Sequence, residues 1–459
     1  MAGIGFQLRK ILRAETFAGA IRAYGYAAIV SSGPWLLSIG VLAGLGIVLA
    51  GSAAESVRSL FFVSVTHVIA FSLILTGPLQ LILTRYASDQ LFLNRRNDVY
   101  SSFLSALLLV SFATLIPGIL LFGVFGFGGI IERISTIFLF VLISNIWIAS
   151  CFATALKDFR NLVLSYAAGY AASFFCAIWF SAKWGEEWIM PGMVTGQLLL
   201  FFLLLRAIRH EIGGDRVLNF AFLRYFRSHP ALALFGLFYN LALWVDKFLY
   251  WWFSPVNDHL GGIYYVCPVY DIAVYLSFLS IAPGMAVFLI KLETDFAFAM
   301  EGLSRRIIHG APLRSLEQQN DRLVVAIREG LALELKLQLP VTIALIIASP
   351  IIAQFLGINA LQSGVFAVTL LGVASLVLLL SLLTVLFYME CLWTAFFCCL
   401  LFFCLNASVT WINIQQGESW YGVGLAVSGI ASTLFALWAV NRYLYNFVHR
   451  LYTRDAVEV

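Results

Sequence analysis

The chain has 459 residues, 61% of them hydrophobic and 11% charged, with a mean hydropathy of +0.93 and a net charge of +4. Soluble domains carry about 25% charged residues, so the composition excludes a soluble enzyme and implies an integral membrane protein. The small net charge gives no sign of a nucleic-acid partner.

In chain order, residues 4–17 read as a short interfacial helix, with Ile4, Leu8, Ile11 and Leu12 opposite Arg9, Lys10 and Arg13. The apolar stretch from about Tyr24 to Ala50 is longer than the ~7–15 residues of a signal-peptide core, so it reads as a first membrane span. Further apolar runs near 60–84, 101–125, 135–156, 162–181, 188–205, 230–253, 263–290, 337–355, 363–387, 391–412 and 421–441 complete twelve. The loops on the N-terminal side carry 24 of the 28 Lys and Arg residues, and the opposite loops carry only Arg58, Arg133 and Lys183. The positive-inside rule then places both termini in the cytoplasm.

The spacing repeats. Pro78 and Pro283 lie 205 residues apart, and the last three spans of each half are offset by 228–233 residues. The reading is an all-α membrane protein of two parallel six-helix halves around a central cavity. The halves cover 1–205 and 230–441. Between them runs a cytoplasmic linker, 206–229, and a cytoplasmic insertion, 291–336, enlarges the second half; a tail, 442–459, follows.

The seventh span is the most informative. It carries Asp246 and Lys247 in a run long enough to cross a bilayer, and a charge at that depth costs at least ~2.5 kcal/mol unless it faces protein or water. Helical spacing puts Asn240, Trp244, Lys247 and Trp251 on one stripe and Asp246 with Tyr250 on the next. Asp271 and His67 are the other ionisable groups expected at depth. Ser31, Pro34 and Trp35 on the first span join them, with Pro34 expected either to break that helix or to be an ordinary kink packed against its neighbours. Tyr264 and Tyr275 at the start of the eighth span complete the candidate path. Lys247 is expected to pair with Asp271 across the hairpin, because the adjacent Asp246 points ~100° away; Asp246 is then left to bind a cation or a substrate hydroxyl.

In the insertion, Val324, Ile327, Leu331 and Leu335 form an apolar stripe, either packed on its own protein or docking a cytoplasmic partner. Seven cysteines without metal-ligand spacing read as packing residues. The sequence carries no Walker loop, no HExxH, and no recognisable catalytic, metal or cofactor-binding set.

Several strings narrow the reading: Gly3-Ile4-Gly5-Phe6 with Leu8-Arg9-Lys10, Ser31-Ser32-Gly33-Pro34-Trp35, Trp244-Val245-Asp246-Lys247 and Pro283-Gly284-Met285-Ala286. They resemble the PelG family of exopolysaccharide transporters, within the multidrug/oligosaccharidyl-lipid/polysaccharide flippase superfamily. The resemblance implies a bacterial inner-membrane protein that moves a Pel-type, N-acetylgalactosamine-rich polymer to the periplasm. It also implies partners, namely a cytoplasmic glycosyltransferase and Pel membrane subunits that include a cyclic di-GMP sensor. The residues themselves support a path lined by Trp and Tyr, whose flat faces suit the C–H faces of sugar rings. Two other readings stay open, a cation-coupled small-molecule antiporter of the same fold and a scaffold subunit of the synthase complex.

Overall fold

In hydrocarbon no water satisfies the backbone, so each apolar run must close its own hydrogen bonds as a helix. The computed structural model describes residues 17–213, 217–445 and 447; the expected interfacial helix lies outside them apart from Phe17. Among the described residues twelve helical segments are long and apolar enough to cross a membrane, so the chain is a multi-pass membrane protein. The helices are α1 (Phe17–Leu49), α2 (Glu55–Phe92), α3 (Arg96–Gly118), α4 (Ile130–Ala155), α5 (Phe159–Trp184), α6 (Ile189–Ile212) and α7 (Pro230–Phe253). They continue with α8 (Pro268–Phe278), α9 (Ala282–Lys291), α10 (Ala297–Ile308), α11 (Leu313–Leu356), α12 (Ala360–Tyr388), α13 (Leu392–Gln416) and α14 (Val423–Tyr445).

Two compact units result. One is Gly33–Asp271; the other runs from Ile272 onward and takes in the segment up to Ser32. In the first unit α4 is the most buried helix, as befits a segment with no charged residue after Arg133. α2 and α7 cross at glycines: a Cβ on Gly77 would lie 2.5 Å from the Gly236 carbonyl oxygen, and a Cβ on Gly236 would strike Gly77 O. This close approach lets the polar stripe of α7 press against α2.

The connection after α7 differs from the expected short loop. Residues 263–267 do not begin a helix; they form half of an antiparallel hairpin, β1 (Asp258–Gly261) and β2 (Tyr264–Val266). Gly261 and Gly262 turn it with φ of 129° and 60°. Its tip docks on the turn after α3, where the Ile263 N–H donates to Phe125 O at 2.9 Å. α8 therefore starts at Pro268, and Asp271 sits in its first turn rather than deep inside a span.

In the second unit the eighth span is broken. A 3-10 turn (Leu279–Ile281) precedes Pro283, and a π-helical turn (Leu292–Phe296) joins α9 to α10. Gln338 of α11 patches the first break, its Nε2 donating to Ser280 O at 3.0 Å and its Oε1 accepting from the Gly284 N–H at 3.1 Å. The expected insertion 291–336 is mostly not a separate element. Its residues continue the eighth span to Ile308 and start the ninth at Leu313, so α11 runs for 44 residues. At 1.5 Å per residue that is about 66 Å, roughly twice the hydrocarbon thickness.

The docking stripe is split accordingly. Ile327 is buried within its own chain, Val324 and Leu331 are half-buried, and only Leu335 is exposed. Ile327 is thus not available to a partner, because the inward face of α11 follows the neighbouring positions Leu316, Gln319, Leu323, Ile327, Glu334 and Gln338. The expected break at Pro34 is also absent. α1 is continuous through it, and the nearby hydroxyls return to their own helix: Ser31 Oγ donates to Ala27 O at 2.8 Å and Ser32 Oγ to Ala28 O at 2.7 Å.

Candidate functional site

The site residues gather where α7 meets α2 and the first turn of α8. Asn240, Trp244, Asp246, Lys247, Tyr250, Trp251, His67, Tyr264 and Asp271 are all buried. Asn240 closes the glycine crossing, its Nδ2 donating to Gly236 O at 2.9 Å. One and two turns further along, Trp244 and Lys247 stack, with the ammonium 5.2 Å from the indole centroid.

Lys247 lies 3.6 Å from Asp246 Oδ1 and donates to Leu243 O at 3.0 Å. The expected pairing with Asp271 is corrected: the ion pair is with Asp246, the adjacent residue. The lysine stem is long enough to fold back along its own helix, and the main-chain N–H of Lys247 also donates to Asp246 Oδ1 at 2.8 Å. Tyr270, from the start of α8, donates its hydroxyl to Asp246 Oδ2. Both oxygens of Asp246 are therefore engaged by its own chain, which leaves it less able to receive a cation or a hydroxyl.

Asp271 is held by other means. Its Oδ2 accepts from the Trp251 indole N–H at 2.8 Å and from the Cys267 main-chain N–H at 2.9 Å. A carboxylate in the first turn also meets the positive end of the helix. Its Oδ1 has no hydrogen-bond partner among the described residues. Asp271, not Asp246, keeps an unpartnered acceptor, and that oxygen is buried.

The Trp251 ring then stacks on His67 from α2, with centroids 4.4 Å apart and planes at 17°. His67 Nδ1 donates to Val63 O at 2.9 Å, and Tyr264 meets the imidazole edge-on at 5.5 Å. Burial at the foot of the hairpin pushes the Tyr264 phenol up to about 12. Trp251 thus bridges His67 and Asp271. Tyr270 and Cys267 escaped the sequence reading because the hairpin was taken for helix.

Of the remaining candidates, Pro34 and Trp35 are half-buried on α1 in the same unit, where Ser38 Oγ donates to Trp35 O at 2.7 Å. Ser31 and Tyr275, both half-buried, belong to the other unit. That unit holds its own buried acid, Glu334, whose Oε2 accepts from Ser381 Oγ at 2.7 Å beside a cavity of about 40 Å³ lined also by Lys291 and Gly330. Glu334 was assigned to the insertion, although its four-residue spacing to Gln338 marks the same face. No group of three or more His, Cys, Asp or Glu residues placed to hold a metal occurs among the described residues. The arrangement packs indole and phenol rings around one unpartnered, buried carboxylate oxygen.

Residues 1–452 match the family described as "PelG: Putative exopolysaccharide Exporter (EPS-E)". No curated protein gives a significant match. Among solved structures, an outward-facing multidrug resistance MATE family transporter of the MOP superfamily superposes with a TM-score of 0.63 at 12% identity, covering 91% of this chain and 95% of that one. An inward-facing structure of a MATE family transporter gives 0.61 at 11% identity, covering 91% and 98%. A point mutant of the Vibrio cholerae MATE transporter VcmN gives 0.62 at 9% identity, covering 92% and 98%. At these identities the likeness is one of fold, the twelve-helix transporter fold of that superfamily.

Proposed function

The chain belongs to the PelG family of exopolysaccharide exporters, and on that premise we propose that it moves a Pel-type, N-acetylgalactosamine-rich polymer across the bacterial inner membrane. The observation that carries the reading is the aromatic and carboxylate cluster on α7 and α8. Trp251 and Trp244 carry the flat faces that suit sugar rings, and Asp271 Oδ1 is an unpartnered acceptor for a hydroxyl or amide N–H; all three are buried here, so they would meet a sugar only once the cluster opens. The work is transport without bond-making. The chain acts with a cytoplasmic glycosyltransferase that extends the polymer and with Pel membrane subunits that include a cyclic di-GMP sensor. The distribution of 24 basic residues on one side supports both termini in the cytoplasm.

Reconstitution tests it. Proteoliposomes holding the chain together with its glycosyltransferase should accumulate labelled sugar polymer inside or outside according to orientation, and the glycosyltransferase alone should not. Polymer crossing at the same rate without the chain would reject the proposal. The fold shared with multidrug transporters supports a second reading, a cation-coupled small-molecule antiporter, which predicts dye efflux by the chain on its own.

A further inference from the structure

Away from that cluster, α3 and α6 enclose a cavity of about 490 Å³ at the base-rich end of the first unit. Its floor is apolar, built from Tyr100, Phe103, Leu104 and Leu205. Its rim is Arg206, Arg209 and His210. All three rim residues are exposed, and none of their side chains makes an ion pair or hydrogen bond among the described residues.

No acid lines the cavity. The nearby Asp98 accepts from Asn219 Nδ2 at 3.5 Å, and Glu211 lines a separate small cavity with Arg96 and Lys157. The C-terminal end of α6 carries about half a negative charge, which a single base would offset. Two arginines and a histidine exceed that need. Snorkelling bases at a helix end are ordinary, but they do not require a cavity beneath them.

We propose that this cavity holds the phosphate head of an anionic glycerophospholipid, with the arginines on the phosphate and the glycerol and upper acyl carbons against Phe103, Leu104 and Leu205. The rim lies one or two turns from the end of a membrane span, the depth at which lipid headgroups sit. The volume falls within the range of small-ligand sites, and basic clefts between spans favour anionic heads. Arginine pairs with phosphate oxygens in fork geometry, which a zwitterionic head with its own ammonium satisfies less well.

The test uses the full-length chain in detergent, exchanged into mixed micelles of phosphatidylglycerol and phosphatidylcholine, with bound lipid counted by native mass spectrometry. The wild type should retain one phosphatidylglycerol in preference to phosphatidylcholine. The Arg206→Gln/Arg209→Gln variant should hold it about tenfold or more weaker, at ~1 kcal/mol per base. Leu104→Trp keeps every charge and fills the cavity; it should lose the lipid as well, with an unchanged melting temperature. Millimolar inorganic phosphate should not displace the lipid. Equal retention in the double arginine variant, or in Leu104→Trp, would overturn the proposal. So would equal retention of phosphatidylcholine, or full displacement by inorganic phosphate, which would mark a free-phosphate site.

Discussion

Lys247 shows how a buried charge is managed one residue at a time. Its ammonium is shared between Asp246, the Leu243 carbonyl and the Trp244 face, while Asp271 relies on Trp251 and a helix N-terminus. Removing one member of a buried pair leaves the other uncompensated, a loss of ~3–5 kcal/mol. Lys247→Ala should therefore lower the melting temperature of the purified protein, and adding Asp246→Asn should recover much of the loss. Adding Asp271→Asn instead should recover none of it. Recovery with Asp271→Asn but not with Asp246→Asn would show that the lysine answers to the other acid. The sequence located all three charges, yet not their partners. Choosing between two acids turns on where α8 begins, and a shift of its start from 263 to 268 takes Asp271 from mid-helix to the first turn.

At the scale of elements, the twelve apolar runs were readable because a membrane span has one signature, length without charge. The hairpin was not, because hydropathy does not separate the strand Tyr264–Val266 from the helix that follows. The Gly261-Gly262 pair between Leu260 and Ile263 is a hairpin signal that could have found it. The helical stripe from Val324 to Leu335 is legible in α11, but α10 and the first turns of α11 are not, since their exposed faces carry the charges of a loop. Gln338 shows what the broken eighth span costs. Without its amide, Ser280 O and the Gly284 N–H lose their partner, and each buried orphan costs ~1–3 kcal/mol. Gln338→Leu, similar in size and apolar, should lower the melting temperature and the membrane level, while Leu339→Ala on the exposed side of α11 should leave both near wild type. An unchanged melting temperature for Gln338→Leu would mean that the break is satisfied by other groups.

For the whole molecule the governing quantity is the split of positive charge, 24 bases on one set of loops against three on the other. The helix boundaries sharpen the assignment. The turn between α10 and α11, around Gly310, falls on the base-rich side, and the hairpin around His259 falls opposite, because α8–α10 make one crossing between them. The end of α6 that carries Arg206 and Arg209 belongs to the base-rich set as well. Moving bases across the membrane during insertion is costly, so the charge split should decide orientation in the cell. Epitopes inserted at Gly310 and at His259 test this in intact cells and spheroplasts. The His259 epitope should be reached by antibody once the outer membrane is opened, and the Gly310 epitope only after the inner membrane is broken. The reverse pattern would invert the topology and move the arginine-rimmed cavity to the outer leaflet. Access to both epitopes from one side would mean that the eighth span does not cross, and the twelve-span count would fall with it.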